Sequence, residues 1–149
     1  MTSSTPVLEA IEAIVSSQAS DERLLSETVR LLKENYAHFT WVGIYWVEGS
    51  DLVLKTYLGK PSPHTRIPSG RGICGAAAAE KQTINIPDVS IDSRYLACSV
   101  ETRSEIVVPI GREGKIFGEI DIDSDAPNAF TAGDQHLLES VAELLATRI

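Results

Sequence analysis

The sequence predicts an α+β fold, an antiparallel sheet covered on one face by helices from both ends of the chain. Three observations carry this: apolar stripes of helical period at the two ends, a run of short β-rich segments between them, and Gly- and Pro-bearing turns that separate those segments.

Pro6 suits a first helical turn with Thr5 able to cap it, and Leu8, Ile11, Ile14 and Val15 keep a 3.6-residue stripe until "SSQAS" interrupts it. A second helix starts at Ser20 or Asp21, either of which can cap it. Acids fill its first turn, Leu24, Leu25, Val29 and Leu32 form its buried stripe, and it ends near Tyr36. "TWVGIYWVE" and "DLVLKTYLG", split by "GSD", read as a hairpin. "PSPHTRIPSGRG" reads as loop, and "ICGAAAAEKQ", rich in strong helix formers, as a short helix starting just after Gly72. "TINIPD" is a strand. "VSIDSRYLACSVETR" is a long connection with room for one helical turn, and "SEIVVPI" and "KIFGEIDID" are two strands around "GREG". Thr131 with Asp134 resembles a capping box and opens the last helix, whose buried face is Leu137, Leu138, Val141, Leu144 and Leu145.

A length of 149 residues with 43% hydrophobic and 23% charged content fits one globular domain, 1–149, able to bury a core without crosslinks. The opening "MTSSTP" lacks the basic and apolar regions of a signal peptide, and no apolar run approaches the roughly 20 residues of a membrane helix. A cytoplasmic protein without a membrane partner is expected. The net charge of −8, with basic residues scattered, excludes a phosphate-backbone footprint and so argues against nucleic acid. Two cysteines are too few for a disulfide framework and point instead to buried thiols, catalytic groups or a redox pair.

The connection that carries Cys98 is about 15 residues long, and connections of that length in compact domains are usually functional. Cys98 is either a small buried hydrophobe or, with Arg94 and Arg103 within five positions on either side, a thiol whose anion a cation stabilises. Cys74 is either a small residue packed between two glycines or a thiol whose pKa a helix N-terminus lowers. In "EIDIDS", Asp121 and Asp123 project from one face of a strand while Ile120 and Ile122 take the other. Such a pair is either solvated or, facing a cleft, attracts a cationic group or shares a proton. Glu105 is either the solvated end of its strand or part of one pocket with that pair. Trp41 and Tyr45, four apart, share a face as core or as pocket wall. A zinc site would recruit Cys74, Cys98, His64 and an aspartate, but no CxxC or HxxxH pair nucleates it, and no metal is expected. A serine hydrolase lacks its G-x-S-x-G elbow.

Together, "WVGIYWV", "GRGICGAAAA", "IPDV", "ACSVETRSEIVVPI", "GKIFGEIDIDS" and "FTAGD" resemble the free methionine-(R)-sulfoxide reductases, single-domain GAF proteins, from about Ala37 onward. The most specific parts are the "AC" followed six residues later by "SEIVVP", and the "DIDS" beyond it. The resemblance implies a thiol-dependent enzyme that reduces the free amino acid's sulfoxide, with no bound cofactor, and a homodimer built on the terminal helices. It makes Cys98 the nucleophile and Glu105, Asp121 and Asp123 the acidic residues that hold the substrate ammonium and the sulfoxide. Trp41 packs against the substrate's methyl end, and Tyr45 lines the same wall. Attack leaves a sulfenic acid that a second thiol condenses to a disulfide. Relatives carry a further cysteine ten positions before the "GRGVCG" cysteine, and here that position is His64. Cys74 then resolves Cys98, or an external thiol such as thioredoxin or glutathione does so directly. Otherwise the pocket belongs to a non-catalytic GAF sensor that only binds.

Overall fold

Two helices open the chain, α1 (Thr5–Val15) and α2 (Asp21–Asn35), followed by the hairpin strands β1 (Trp41–Glu48) and β2 (Asp51–Leu58). The computed structural model describes residues 5–68, 70–95 and 101–148. Beyond the hairpin come β3 (Arg66–Pro68), α3 (Gly72–Glu80), β4 (Ile84–Ile86), a 3-10 turn (Val89–Ile91), β5 (Ser104–Arg112), β6 (Lys115–Ser124) and α4 (Ala132–Arg148). Capping sets the helix starts where the sequence places them. Ser20 accepts from the Arg23 amide at 3.1 Å to begin α2, and Thr131 and Asp134 cap each other's backbone amides at 3.1 and 3.0 Å to begin α4.

The strands form one six-stranded sheet in the order β3-β2-β1-β6-β5-β4, every neighbouring pair antiparallel. Pairing of β1 with β6 closes the centre of the sheet, and a register of Trp41 with Asp123, Gly43 with Asp121 and Tyr45 with Glu119 follows from it. On the next strand Glu105 lies opposite Asp123 and Val107 opposite Asp121.

Alternation then sorts the side chains onto two faces. Val42, Ile44, Ile106, Val108, Ile110, Ile120 and Ile122 join the apolar stripes of α1, α2 and α4 in one core. Trp41, Tyr45, Leu52, Ile67, Ile84, Ile86 and Val107 form a second core with α3 and Val89. The terminal helices therefore cover one face, as the sequence pattern requires, and α3 with its flanking loops covers the other.

One expectation is corrected. The segment read as continuous loop before α3 contains β3, which pairs with Asp51–Val53 of β2. The Arg66 guanidinium bonds the Asp51 carboxylate at 3.0 Å and Ile67 is buried between its two exposed neighbours. A three-residue strand held by cross-strand partners leaves no local period to read.

Candidate active site

On the α3 face of the sheet, β6 presents three acids in succession, Glu119, Asp121 and Asp123, because its residues alternate between faces and the two isoleucines take the other. All three are buried, at 0, 1 and 2% exposure. Glu105, the cross-strand partner of Asp123, is 5% exposed, so of its two readings the solvated strand end does not apply, and the residue lies buried beside the aspartates.

Cys74, in the first turn of α3, faces this row. Its thiol donates to Asp121 Oδ2 with a sulfur–oxygen distance of 3.3 Å. Burial and then the charges of Asp121, Glu119 and Glu105 push the Cys74 thiol well above its usual range. Of the two readings of Cys74, the thiol lowered by a helix N-terminus is the one that fails, and its burial fits the small residue packed at the helix start. A partial positive charge at a helix end is outweighed by loss of water and three neighbouring acids.

The carboxyls themselves are displaced upward. Burial raises Glu119 well above 4.5, with the charge of Asp121 adding to it and the nearby Cys74 thiol opposing it. Burial raises Asp121, opposed by hydrogen bonding to Glu105 and Cys74. Asp123 goes well above 3.8 through burial first and the Asp121 charge second, again opposed by Glu105. Among the described residues, the charged groups that raise these carboxyls are themselves acids, which favours the protonated forms in the absence of a bound cation.

Among the described residues, Asp121 Oδ1, Asp123 Oδ1 and both Glu119 oxygens are buried without a hydrogen-bond partner. Glu119 was missed in the sequence, although "EIDID" carries it on the same two-residue period as the aspartates. Its replacement by leucine is expected to raise unfolding free energy by about 1–3 kcal/mol, since a desolvated carboxyl without partners is removed. Urea denaturation of the two proteins measures this, and an unchanged or lower stability shows that Glu119 has a compensating partner.

Tyr45 is wholly buried and its hydroxyl donates to the His64 carbonyl oxygen at 2.7 Å, which ties the β2–β3 loop to the sheet. Tyr45, His64, Ile67, Gly72, Ile73, Cys74, Glu105 and Asp121 enclose a cavity of about 10 Å³. Trp41 is not among those lining residues. Its indole donates to the Lys60 carbonyl at 2.9 Å and stacks on Tyr57 at 5.7 Å between ring centroids. The ring lies across Gly43, where a Cβ would stand 2.6 Å from Trp41 Cζ3. Gly43→Ala must displace the indole and is expected to cost about 1–3 kcal/mol. Equal thermal and urea stability of variant and parent would show that the ring turns aside freely.

Cys98 lies outside the described residues. Of the arginines flanking it in sequence, Arg94 is engaged elsewhere, with Asp92 at 2.9 Å and Glu80 at 3.4 Å. Arg103 acts electrostatically on Asp88. The structure thus brings Cys74, Glu105, Asp121, Asp123 and Tyr45 together, with Trp41 paired to the Asp123 end of the row.

Chemically the row offers buried carboxylic acids able to donate protons and, once ionised, an anionic wall for a cationic group. Residues 21–149 match the GAF domain model. The chain is 38% identical to the free methionine-R-sulfoxide reductase of Escherichia coli, over 89% of this chain and 80% of that protein. It superposes on the free methionine-R-sulfoxide reductase of Neisseria meningitidis, solved in complex with its substrate, with a TM-score of 0.91 and 37% identity, covering 97% of this chain and 87% of the other. The type II free methionine-R-sulfoxide reductase of Thermoplasma acidophilum matches with a TM-score of 0.83 and 35% identity, over 92% and 93% of the two chains. The chain belongs to the GAF domain family and, within it, to the free methionine-R-sulfoxide reductases.

Proposed function

We propose that the chain reduces free methionine-(R)-sulfoxide to methionine with Cys98 as nucleophile. The observation that carries this reading is the buried carboxyl row Glu105, Asp121 and Asp123, with pKa values raised at both aspartates. A thiolate reduces a sulfoxide only if the oxygen is protonated as it leaves sulfur, and a carboxylic acid kept neutral by burial and a neighbouring carboxylate supplies that proton. In the first step the oxygen passes from the sulfoxide sulfur to Cys98. The substrate gains two electrons, and the cysteine becomes a sulfenic acid. A second thiol then condenses with the sulfenic acid, releasing water and leaving a disulfide. An external dithiol of the thioredoxin type restores the cysteine, taking the disulfide onto itself.

In this scheme Asp123 is the acid, Asp121 and Glu105 hold the substrate ammonium, and Tyr45 and Trp41 wall the apolar end. Cys74, buried beside Asp121, is the candidate resolving thiol. A cytoplasmic location and a homodimer belong to the same proposal. The dimer is supported by the family resemblance alone, since α1, α2 and α4 already bury their stripes on their own sheet.

The test is oxidation of NADPH by thioredoxin reductase and thioredoxin in the presence of the protein. Turnover is expected with the R epimer of the free sulfoxide and not with the S epimer or a peptide-bound sulfoxide. Equal background rates with all three overturn the enzyme reading. A non-catalytic sensor is favoured by one observation, His64 at the position where the family resemblance implies a cysteine. Saturable binding of the R epimer without NADPH consumption is its signature.

A further inference from the structure

The pocket in the described structure is small. Its cavity of about 10 Å³ holds about one water-sized body, far less than an amino acid. Three of the side chains that enclose it, Cys74, Glu105 and Asp121, carry ligand atoms that all lie within 4.8 Å of one another. We propose that Cys74, Glu105 and Asp121 form a site for a borderline-soft divalent cation of the zinc class, whose binding holds the pocket closed and competes with substrate.

The donor set fits that chemistry. One sulfur and two carboxylate oxygens select zinc-like ions over calcium or magnesium, which take oxygen alone. In a tetrahedral zinc site, bonds of about 2.0–2.3 Å leave neighbouring ligand atoms about 3.3–3.6 Å apart. Cys74 Sγ and Asp121 Oδ2 already stand at 3.3 Å, and a carboxylate oxygen of Glu105 lies within 4.8 Å of both. A second, independent observation points to a cation. Glu119, next along the row and wholly buried, has both carboxyl oxygens without a partner among the described residues, and it acts electrostatically on Cys74. The fourth position falls to a water or to this carboxylate.

No sequence motif announces the site, because its ligands come from α3, β5 and β6 and meet only when the sheet forms. Competition follows from geometry, since the same carboxylates are assigned to the substrate ammonium. That inhibitory half rests on the proposed reductase reading, whereas binding of the ion does not.

The full-length protein, freed of metal with a chelator, is titrated with Zn²⁺ against a chromophoric competitor, and with Co²⁺ as a spectroscopic probe. Wild type and Cys98→Ser are expected to bind one ion alike and to show thiolate-to-cobalt charge-transfer absorption. Cys74→Ala is expected to lose that absorption, and Cys74→Ala and Asp121→Asn each to weaken Zn²⁺ binding by at least about tenfold. Equal affinity in wild type and Cys74→Ala, or loss of binding in Cys98→Ser, overturns the proposal, the latter by showing that the nucleophile's thiol holds the metal. If Zn²⁺ binds as described but no sulfoxide turnover occurs, the reductase reading fails and the metal site stands. Turnover that Zn²⁺ leaves untouched, in protein that shows no Cys74-dependent absorption, fails the metal site alone.

Discussion

Cys98→Ser is expected to release no methionine from the R-sulfoxide, whether reductant is present or not, while Cys74→Ser releases about one equivalent per protein in a single turnover without reductant. The reasoning lies in where the oxygen goes. Reduction of the sulfoxide requires an atom that can take the oxygen and surrender two electrons, and a thiolate sulfur does so where a hydroxyl oxygen does not. In the proposed scheme Cys74 enters only after that step, when the sulfenic acid must be condensed. Its thiol is held protonated by burial and by the acids around it, so it becomes a nucleophile only by passing its proton to a carboxylate, and Asp121 at 3.3 Å is placed to accept it. Methionine released in single turnover and the disulfide mapped by mass spectrometry separate the two roles. A full equivalent of methionine from Cys98→Ser would remove Cys98 from the chemistry. An unchanged steady-state rate in Cys74→Ser would assign resolution to the external thiol.

Much of this arrangement can be read from the sequence, for reasons that differ by element. Helix starts are local: Ser20 and the Thr131/Asp134 pair sit within three residues of the amides they cap. The shared face of Asp121 and Asp123 is also local, following from the two-residue period of a strand. Whether that face is wet or dry is not. Glu105 and the aspartates are buried because β5 pairs with β6 and α3 closes over both, and no window of sequence contains those contacts. The same limit accounts for Cys74, whose two readings no local argument separates because the acids that push its thiol upward come from β5 and β6, and for β3, whose existence depends on Asp51 and Leu52 across the sheet. Glu119 is a different case. Its place on the same face as the aspartates is local, since "EIDID" carries it on the two-residue period, and only its burial depends on the sheet.

In Asp123→Asn, kcat is expected to fall by about 10²-fold or more, with a smaller change in KM, because the variant keeps the shape of the site and loses the proton. Asp123 is the member of the row to remove, since burial and the Asp121 charge together drive it well above 3.8, whereas Asp121 is restrained by hydrogen bonding to both Glu105 and Cys74. The pH dependence carries the sign. In chelator-treated wild type, kcat declines as pH rises through the raised pKa of this acid, and the variant lacks that limb. The wild-type protein's stability moves the same way with pH. A carboxyl whose folded pKa is raised binds more protons in the folded state than in the unfolded one, so its contribution to stability is complete below 3.8 and is lost as pH rises through the folded pKa. Asparagine has no such loss, and Asp123→Asn is expected to be more stable than wild type near neutral pH and indistinguishable from it in its slope with pH at the acid end. An inactive variant that melts higher is an intact fold without its acid. An inactive variant that melts lower, or an active one that keeps the alkaline limb, places the donated proton on another member of the row.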